Sequence, residues 1–312
     1  MEFYRKNIDI QNIIKTHLNV NWLRPEKALW DTIASILLKN YEIIPPSLDL
    51  GCGNGFFNFI TAGGTFSLDF DWFKNVDLEG FWDNRDIYDV CLNDDFKEFI
   101  VDKPAYSFTY GLDHKKNLLA QARGLHFYDH LIYHDANDPL PFDSESLNTV
   151  FSNILYWLPD QGKILLEISR LLKKGGRAIF CLPNVNFYDF CPSYKWRETN
   201  SELLRLINRG RSDCLHWATT VDEFGFIAKN VNFEIVDHHF YLSPLILKIW
   251  DIGFRPLSCL LIGMANSLAD DKRKSIKAEW IETAYSFIKS LYELEKQSKE
   301  EGGFHLFVLQ KF

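Results

Sequence analysis

No block of lysine and arginine runs through this chain. Its 312 residues carry 34 basic against 42 acidic side chains, a formal charge of −8, and the longest basic cluster is 272-KRK-274. A nucleic-acid binder usually shows a basic face or a basic arm, so duplex or RNA binding is not expected. No CxxC pair occurs among the six cysteines, Cys52, Cys91, Cys181, Cys191, Cys214 and Cys259. Scattered cysteines in runs that read as buried strand or helix suggest reduced core thiols in a cytoplasmic protein, not a disulfide frame or a zinc site. No apolar tract is long enough to span a bilayer. The most apolar one, residues 240–264, is interrupted by Lys248, Asp251 and Arg255 and broken by Pro244 and Pro256. The opening MEFYRKNIDIQ has no apolar h-region, so no secretory leader is expected. Internal repeats and low-complexity segments are also absent.

Apolar residues make up 46% of the chain and aromatics 15%, enough for one large domain or a core domain with insertions. In 25-PEKALWDTIASILLK-39 apolar residues recur at helical spacing behind a proline suited to a first turn. Pro45 and Pro46 stop any helix, and Leu48 to Leu50 make a short buried strand. A second strand in 107-SFTYGLDHKKNLLAQAR-123 ends at Asp113 and is followed by a helix. A third, 131-LIYH-134, ends before Asp135, and a fourth is 147-LNTVFSN-153. The segment 160-DQGKILLEISRLLKK-174 reads as a helix ended by Gly175 and Gly176, with a fifth strand in 177-RAIFCLP-183. Strands alternating with helices imply a parallel α/β sheet covered on both faces. Segments 232–240 and 304–312 would complete a Rossmann-like, seven-stranded, mostly parallel sheet. Residues 57–106 and 244–300 are then insertions, the second a helical one that roofs the substrate site, makes a dimer contact or is an ordinary subdomain.

The stretch 47-SLDLGCGNGFF-57 carries the chemistry. A Gly-rich turn after a first strand lets the backbone approach a ligand, because no Cβ intrudes, and open α/β sheets bind ligands beyond the C-terminal strand ends. Dinucleotide folds use G-x-G-x-x-G, and P-loops end in Lys-Ser/Thr. Here the pattern is D-L-G-C-G-N-G, so phosphate cradling is disfavoured.

That pattern resembles motif I of the class I S-adenosylmethionine-dependent methyltransferases, in particular methyltransferase-11-like domains. The resemblance continues through 110-YGLD-113, 134-HDANDPLPF-142, 147-LNTVFSNILYWLPD-160 and 167-EISRLLKKGGRAIF-180, in the family's order. It implies S-adenosyl-L-methionine as cofactor. Gly51, Cys52, Gly53 and Asn54 would lie against its methionine moiety, with Asp49 reaching the amino group directly or through water. Asp113, preceded by Leu112, would take the ribose diol. Asp135 would accept from the adenine amino group, with the Ala136 backbone beside it, and Asn153 and Ile154 would line the floor under the sulfonium. Each acid also has a structural alternative: Asp49 as a turn cap, Asp113 as a helix cap, Asp135 as the opening of a loop. The family reaches its ribose acid sooner after the glycines than Asp113 does here, and Asp69 or Asp71, in 66-FSLDFDWF-73, stands nearer that spacing. The strand–acid–helix context around Asp113 decides for it.

Methyl transfer from a sulfonium needs alignment of the acceptor and a base only when the acceptor must lose a proton. The N-P-P-Y of enzymes acting on nucleic-acid or protein amines is absent; 153-NILYW-157 stands there. A small-molecule, sugar or lipid-linked acceptor is therefore expected, methylated on O or N. Tyr156 and His216 are the catalytic candidates, and Trp157, Tyr188, Arg211 and Trp217 the substrate-side ones. For His216 a hydrogen-bonded structural histidine is the commoner reading, and His238 and His239 read as structural. Trp22, Arg24 and Trp30 lie where this family places a cofactor lid. A non-catalytic cofactor-binding regulatory protein and a nicotinamide-dependent oxidoreductase are the competing readings, and no metal site is expected.

Overall fold

In the computed structural model, residues 9–77, 79, 87, 88, 96–208 and 215–312 are described. Seven strands form one sheet in the order β3-β2-β1-β4-β5-β7-β6. They are β1 (Ser47–Leu50), β2 (Phe108–Asp113), β3 (Tyr128–Tyr133), β4 (Leu147–Ser152), β5 (Leu172–Pro183), β6 (Phe233–Tyr241) and β7 (Phe304–Lys311). The pairings from β3 to β5 are parallel, whereas β7 runs antiparallel to both β5 and β6. All four residues of β1, the polar Ser47 and Asp49 included, are buried, since a central strand is covered on both faces. β1 pairs with β2 on one side and β4 on the other. The chain order therefore reverses beside β1, and that is where open α/β sheets form a crevice.

The strand and helix order matches the sequence expectation, with one correction. Helix 161–171 ends at Leu171, and residues 172–176 belong to β5 rather than to the helix. Gly175, at φ +79°, is therefore not a helix cap. It sits in a register shift, where Leu147 opposes Leu172 but Thr149 opposes Arg177, so the extra residues bulge out of the ladder.

The long aromatic detour after the glycine loop has a packing role. Phe66 and Phe70 stack at 4.2 Å, and the Phe56 ring meets Phe66, Phe70 and Phe96 edge-on or tilted. The detour also grips the first two helices, α1 (Ile10–Val20) and α2 (Pro25–Leu38). Asn19 donates to the carbonyls of Phe66 and Ser67, and Trp72 Nε1 donates to the Val20 carbonyl at 2.8 Å. Trp22 Nε1 donates to Asp71 Oδ1 at 3.0 Å, and Asp71 Oδ2 accepts from Arg273 Nε at 2.8 Å. Arg273 belongs to the long helix Asp270–Gln297, whose Trp280 donates to the Trp22 carbonyl at 2.6 Å. Residues 66–72 and the helix Asp270–Gln297 thus both hold the α1–α2 connection, and Asp71 and Arg273 join them to each other. Cys52, Cys181, Cys191 and Cys259 are free thiols; Cys91, Cys214 and Arg211 lie outside the described residues. Among the described residues no helix is long and apolar enough to cross a membrane.

Candidate active site

A cavity of about 290 Å³ opens at the C-terminal ends of β1, β2 and β4. That is near the lower end of the range for small-ligand pockets, roughly 300–1,000 Å³. Its first wall is the glycine loop. Gly51, Gly53 and Gly55 have φ of +80°, +56° and +77°, a backbone region L-residues disfavour. Gly51 also has no room for a side chain, because a Cβ there would stand 2.1 Å from Ile154 Cγ1. Around Gly53 the nearest atom to such a Cβ is Leu118 Cδ1 at 3.9 Å. A side chain on Gly53 would therefore enter the cavity itself, so the loop presents bare backbone to an occupant.

Asp113 ends β2 beside that loop and is only 8% exposed. Its Oδ2 accepts from the Gly53 N–H and its Oδ1 from the Lys115 N–H, each at 2.8 Å. A carboxylate oxygen has two lone pairs, so both oxygens, fixed in place, can each accept once more. Pairing of Leu112 with Leu50 makes the Asp113 strand the immediate neighbour of β1. Asp71, the acid nearer the family spacing, does not line the cavity and is held by Trp22 and Arg273.

Asp49 is buried beneath the loop and does not line the cavity. Its Oδ2 accepts from Tyr128 Oη at 2.6 Å and Asn58 Nδ2 at 2.7 Å. Burial pushes its carboxyl up to about 7, with the charge of Asp113 adding to the shift and the two hydrogen bonds opposing it. Burial likewise holds the Cys52 thiol well above its usual range, so it stays protonated. Asp135 is exposed; its Oδ1 accepts from Asn137 N and Nδ2, both at 2.9 Å, and these bonds depress its pKa. Neither Asp135 nor Ala136 lines the cavity, whereas Cys52, Asn54, Asn153 and Ile154 do.

The substrate-side candidates divide. Tyr156 and Trp157 line the cavity, as do Arg24 and Trp30. His216 is exposed and outside it, and its backbone N–H donates to the Tyr156 carbonyl at 3.0 Å. Trp217 donates Nε1 to the Leu158 carbonyl at 2.9 Å, and Tyr188 packs against Tyr194; neither reaches the cavity. His238 Nε2 lies 2.8 Å from His305 Nδ1, and His305 Nε2 bonds the Thr219 carbonyl, a strand-to-strand link.

Several cavity residues carry no motif and were not singled out from the sequence: His17, Lys27, Asp31, Cys181, Tyr241, Trp250 and Phe304. One signal was available. Lys27 and Asp31, four apart on a largely buried helix, form an ion pair, and charged side chains are seldom taken into a protein interior unless paired.

His17 is fully buried, with Nε2 2.9 Å from Ser35 Oγ and Nδ1 without a hydrogen-bond partner. Burial pulls its pKa from 6.5 down to about 4. Between those values the unfolded chain binds a proton that the native chain does not, so stability falls as pH drops through this window and is flat above it. We expect this residue to account for about 3 kcal/mol of acid destabilisation between pH 7 and pH 4. Urea titrations of the wild type and His17→Gln at both pH values check it; equal acid losses in the two proteins would contradict it.

A family model described as "Methyltransferase domain" matches residues 99–180. That span holds β2 to most of β5, with Asp113, Asp135 and Asn153, and begins after the glycine loop. No curated protein matches the sequence. Among solved structures, a SAM-dependent methyltransferase of Thermotoga maritima, a possible histamine N-methyltransferase, is 13% identical with a TM-score of 0.45, covering 95% of this chain and 92% of that one. The geranyl diphosphate C-methyltransferase of Streptomyces coelicolor A3(2), in complex with Mg2+, geranyl diphosphate and S-adenosyl-L-homocysteine, is 15% identical with a TM-score of 0.43, covering 92% and 84%. An S-adenosylmethionine-dependent methyltransferase of Mesorhizobium loti is 13% identical with a TM-score of 0.41, covering 86% and 94%.

Proposed function

We propose that this chain, a methyltransferase whose domain match spans residues 99–180, moves a methyl group from S-adenosylmethionine to a small-molecule acceptor. The observation that carries the reading is the cavity, which joins the bare glycine loop and Asp113 to an aromatic end lined by Trp30, Tyr156, Trp250 and Phe304. Gly51 to Asn54 would hold the methionine moiety, and Asp113 would accept from the ribose hydroxyls. Asp49 would act at one remove, holding Tyr128 and Asn58 under the loop. The cofactor would supply an electrophilic methyl group on a sulfonium. What remains for the protein is to align the acceptor and keep water out.

The aromatic end supports a small, partly flat acceptor. Trp30 meets Trp250 at 5.1 Å and Phe304 edge-on at 4.8 Å, and Phe304 meets Tyr156 at 5.7 Å. The segment from Pro244 to Ser258 supplies Trp250, Arg255 and Ser258 to this wall, which supports a roofing role for that insertion. Tyr156 is the catalytic candidate at the cavity. Because His216 stands outside it, we expect His216→Ala to leave turnover of an identified acceptor within about twofold, since removing a true base costs about 10²–10⁴. A steady-state assay checks this, and a loss above tenfold would restore the histidine as base. Calorimetric titration with S-adenosylhomocysteine tests the function itself. Binding of a nicotinamide nucleotide in its place would refute it. Cofactor binding with no turnover across labelled metabolite pools would favour a regulatory protein.

A further inference from the structure

We infer that His17 is a further catalytic residue, whose Nδ1 accepts the hydrogen bond, and during transfer the proton, of an acceptor bearing an O–H or N–H group. The inference rests on the methyltransferase reading above and names the kind of acceptor that the same cavity takes. His17 lies on the face of α1 that lines the cavity; Val20 and Asn21, three and four residues on, line it too. A short chain of hydroxyls fixes which ring nitrogen carries the hydrogen. Thr61 Oγ1 donates to the Phe57 carbonyl at 2.8 Å, and a carbonyl can only accept. The 2.7 Å contact between Ser35 Oγ and Thr61 Oγ1 is therefore donated by Ser35. Ser35 then has no hydrogen left for His17, so Nε2 donates to Ser35 Oγ across 2.9 Å. The neutral ring thus carries its hydrogen on Nε2 and a bare lone pair on Nδ1.

Nothing in the folded chain uses that lone pair. Among the described residues Nδ1 has no hydrogen-bond partner, and a buried acceptor without one is costly. Ser35 and Thr61 do not line the cavity. The two ring nitrogens diverge, so with Nε2 held behind the wall, Nδ1 is the nitrogen turned to the cavity side. The ring also stands between the two ends of the cavity. It stacks on Phe57 at 6.4 Å, a lining residue just after the glycine loop. Asp31, whose charge reaches the ring, follows Trp30 of the aromatic end. An acceptor oxygen or nitrogen there takes the methyl group with its own lone pair, the S–C electron pair stays on sulfur, and the acceptor's proton passes to Nδ1. Burial, partly offset by Asp31, keeps the ring at a pKa of about 4. The histidine therefore does not ionise the acceptor in advance; it takes the proton once methylation has made that proton acidic. The charge of Asp31 favours the imidazolium so formed, which returns the proton to water when product leaves.

The test titrates phenol, aniline and fluorobenzene calorimetrically into the wild type and His17→Gln, with and without saturating S-adenosylhomocysteine. Fluorobenzene has nearly the same shape and no hydrogen to donate. We expect phenol or aniline to bind the wild type at least about fivefold more tightly than fluorobenzene, as one hydrogen bond to an unpaired buried acceptor provides. Glutamine can still meet Ser35 but lacks the Nδ1 lone pair. His17→Gln should bring the three probes within about twofold of one another and leave S-adenosylhomocysteine affinity within about twofold. If the variant does not fold, nitrogen-15 NMR of the histidine-labelled wild type carries the same test: the His17 Nδ1 signal should be that of a bare nitrogen, moved by phenol and not by fluorobenzene. Equal binding of the three probes, no binding of any, a preference that survives in His17→Gln, or a protonated Nδ1 overturns the inference. Loss of S-adenosylhomocysteine affinity in His17→Gln with the preference intact also overturns it, and gives the lone pair to the cofactor. Failure of S-adenosylhomocysteine to bind the wild type would instead overturn the reading beneath it, and the probes alone would still decide the role of His17.

Discussion

Replacing Asp113 by alanine should weaken S-adenosylhomocysteine binding by about a hundredfold or more. The estimate follows from two charge-assisted hydrogen bonds to the ribose diol, each contributing about 1.5–3 kcal/mol. A second effect acts in the same direction. Asp113 Oδ2 also fixes the Gly53 N–H, so its loss frees the loop that meets the methionine end. Asp113→Asn keeps the side chain's shape but loses the charge and one acceptor, and should fall between alanine and wild type. Titration calorimetry on the three proteins checks the series. An alanine variant that binds within threefold of wild type would remove Asp113 from the cofactor site.

Asp71→Asn should produce the largest loss of stability among the acids discussed. Asp71 and Arg273 form an ion pair whose side chains are 4% and 3% exposed. Removing one charge of a buried pair leaves the other uncompensated, at about 3–5 kcal/mol. Asparagine still offers Oδ1 to Trp22, so the loss isolates the ion pair. The mechanism is local to this pair, and cofactor affinity measured below the new melting temperature should change far less than in Asp113→Ala. Urea unfolding gives the stability. A loss under 1 kcal/mol would mean that Arg273 finds another partner and that the packing of the helix Asp270–Gln297 on the α1–α2 connection does not depend on this contact. Together the two variants separate the rival acids: one should lose ligand and the other stability.

The sequence was most legible where one residue type has one physical use. Alternating glycines before a helix imply bare, left-handed backbone, and Gly51, Gly53 and Gly55 all take it. The position of Asp113 at the end of β2 was readable from its strand–acid–helix context despite the long detour before it. The start of β5 was misread because two lysines and two glycines after an amphipathic helix look the same as a helix cap. Strand pairing with β4 decides otherwise, and that contact is not local in sequence. The detour itself was opaque for a similar reason: Asp71 and Arg273 are 202 residues apart, and nothing in either neighbourhood announces the other. The loop around His216 misled by composition. Functional side chains were counted there, yet Trp217 serves a backbone carbonyl and His216 faces outward. Conversely, Arg255 was noted only as an interruption of an apolar tract. A charge placed in such a tract is costly, and here it borders the cavity.

The most direct test of the central claim is a crystal structure of the protein with S-adenosylhomocysteine. The account predicts the ribose hydroxyls on Asp113, the amino-acid end over Gly51 to Asn54, and the sulfur facing the end lined by Tyr156 and Trp250. Ligand density elsewhere, or a ribose bound by Asp71 or by no acid at all, would contradict it.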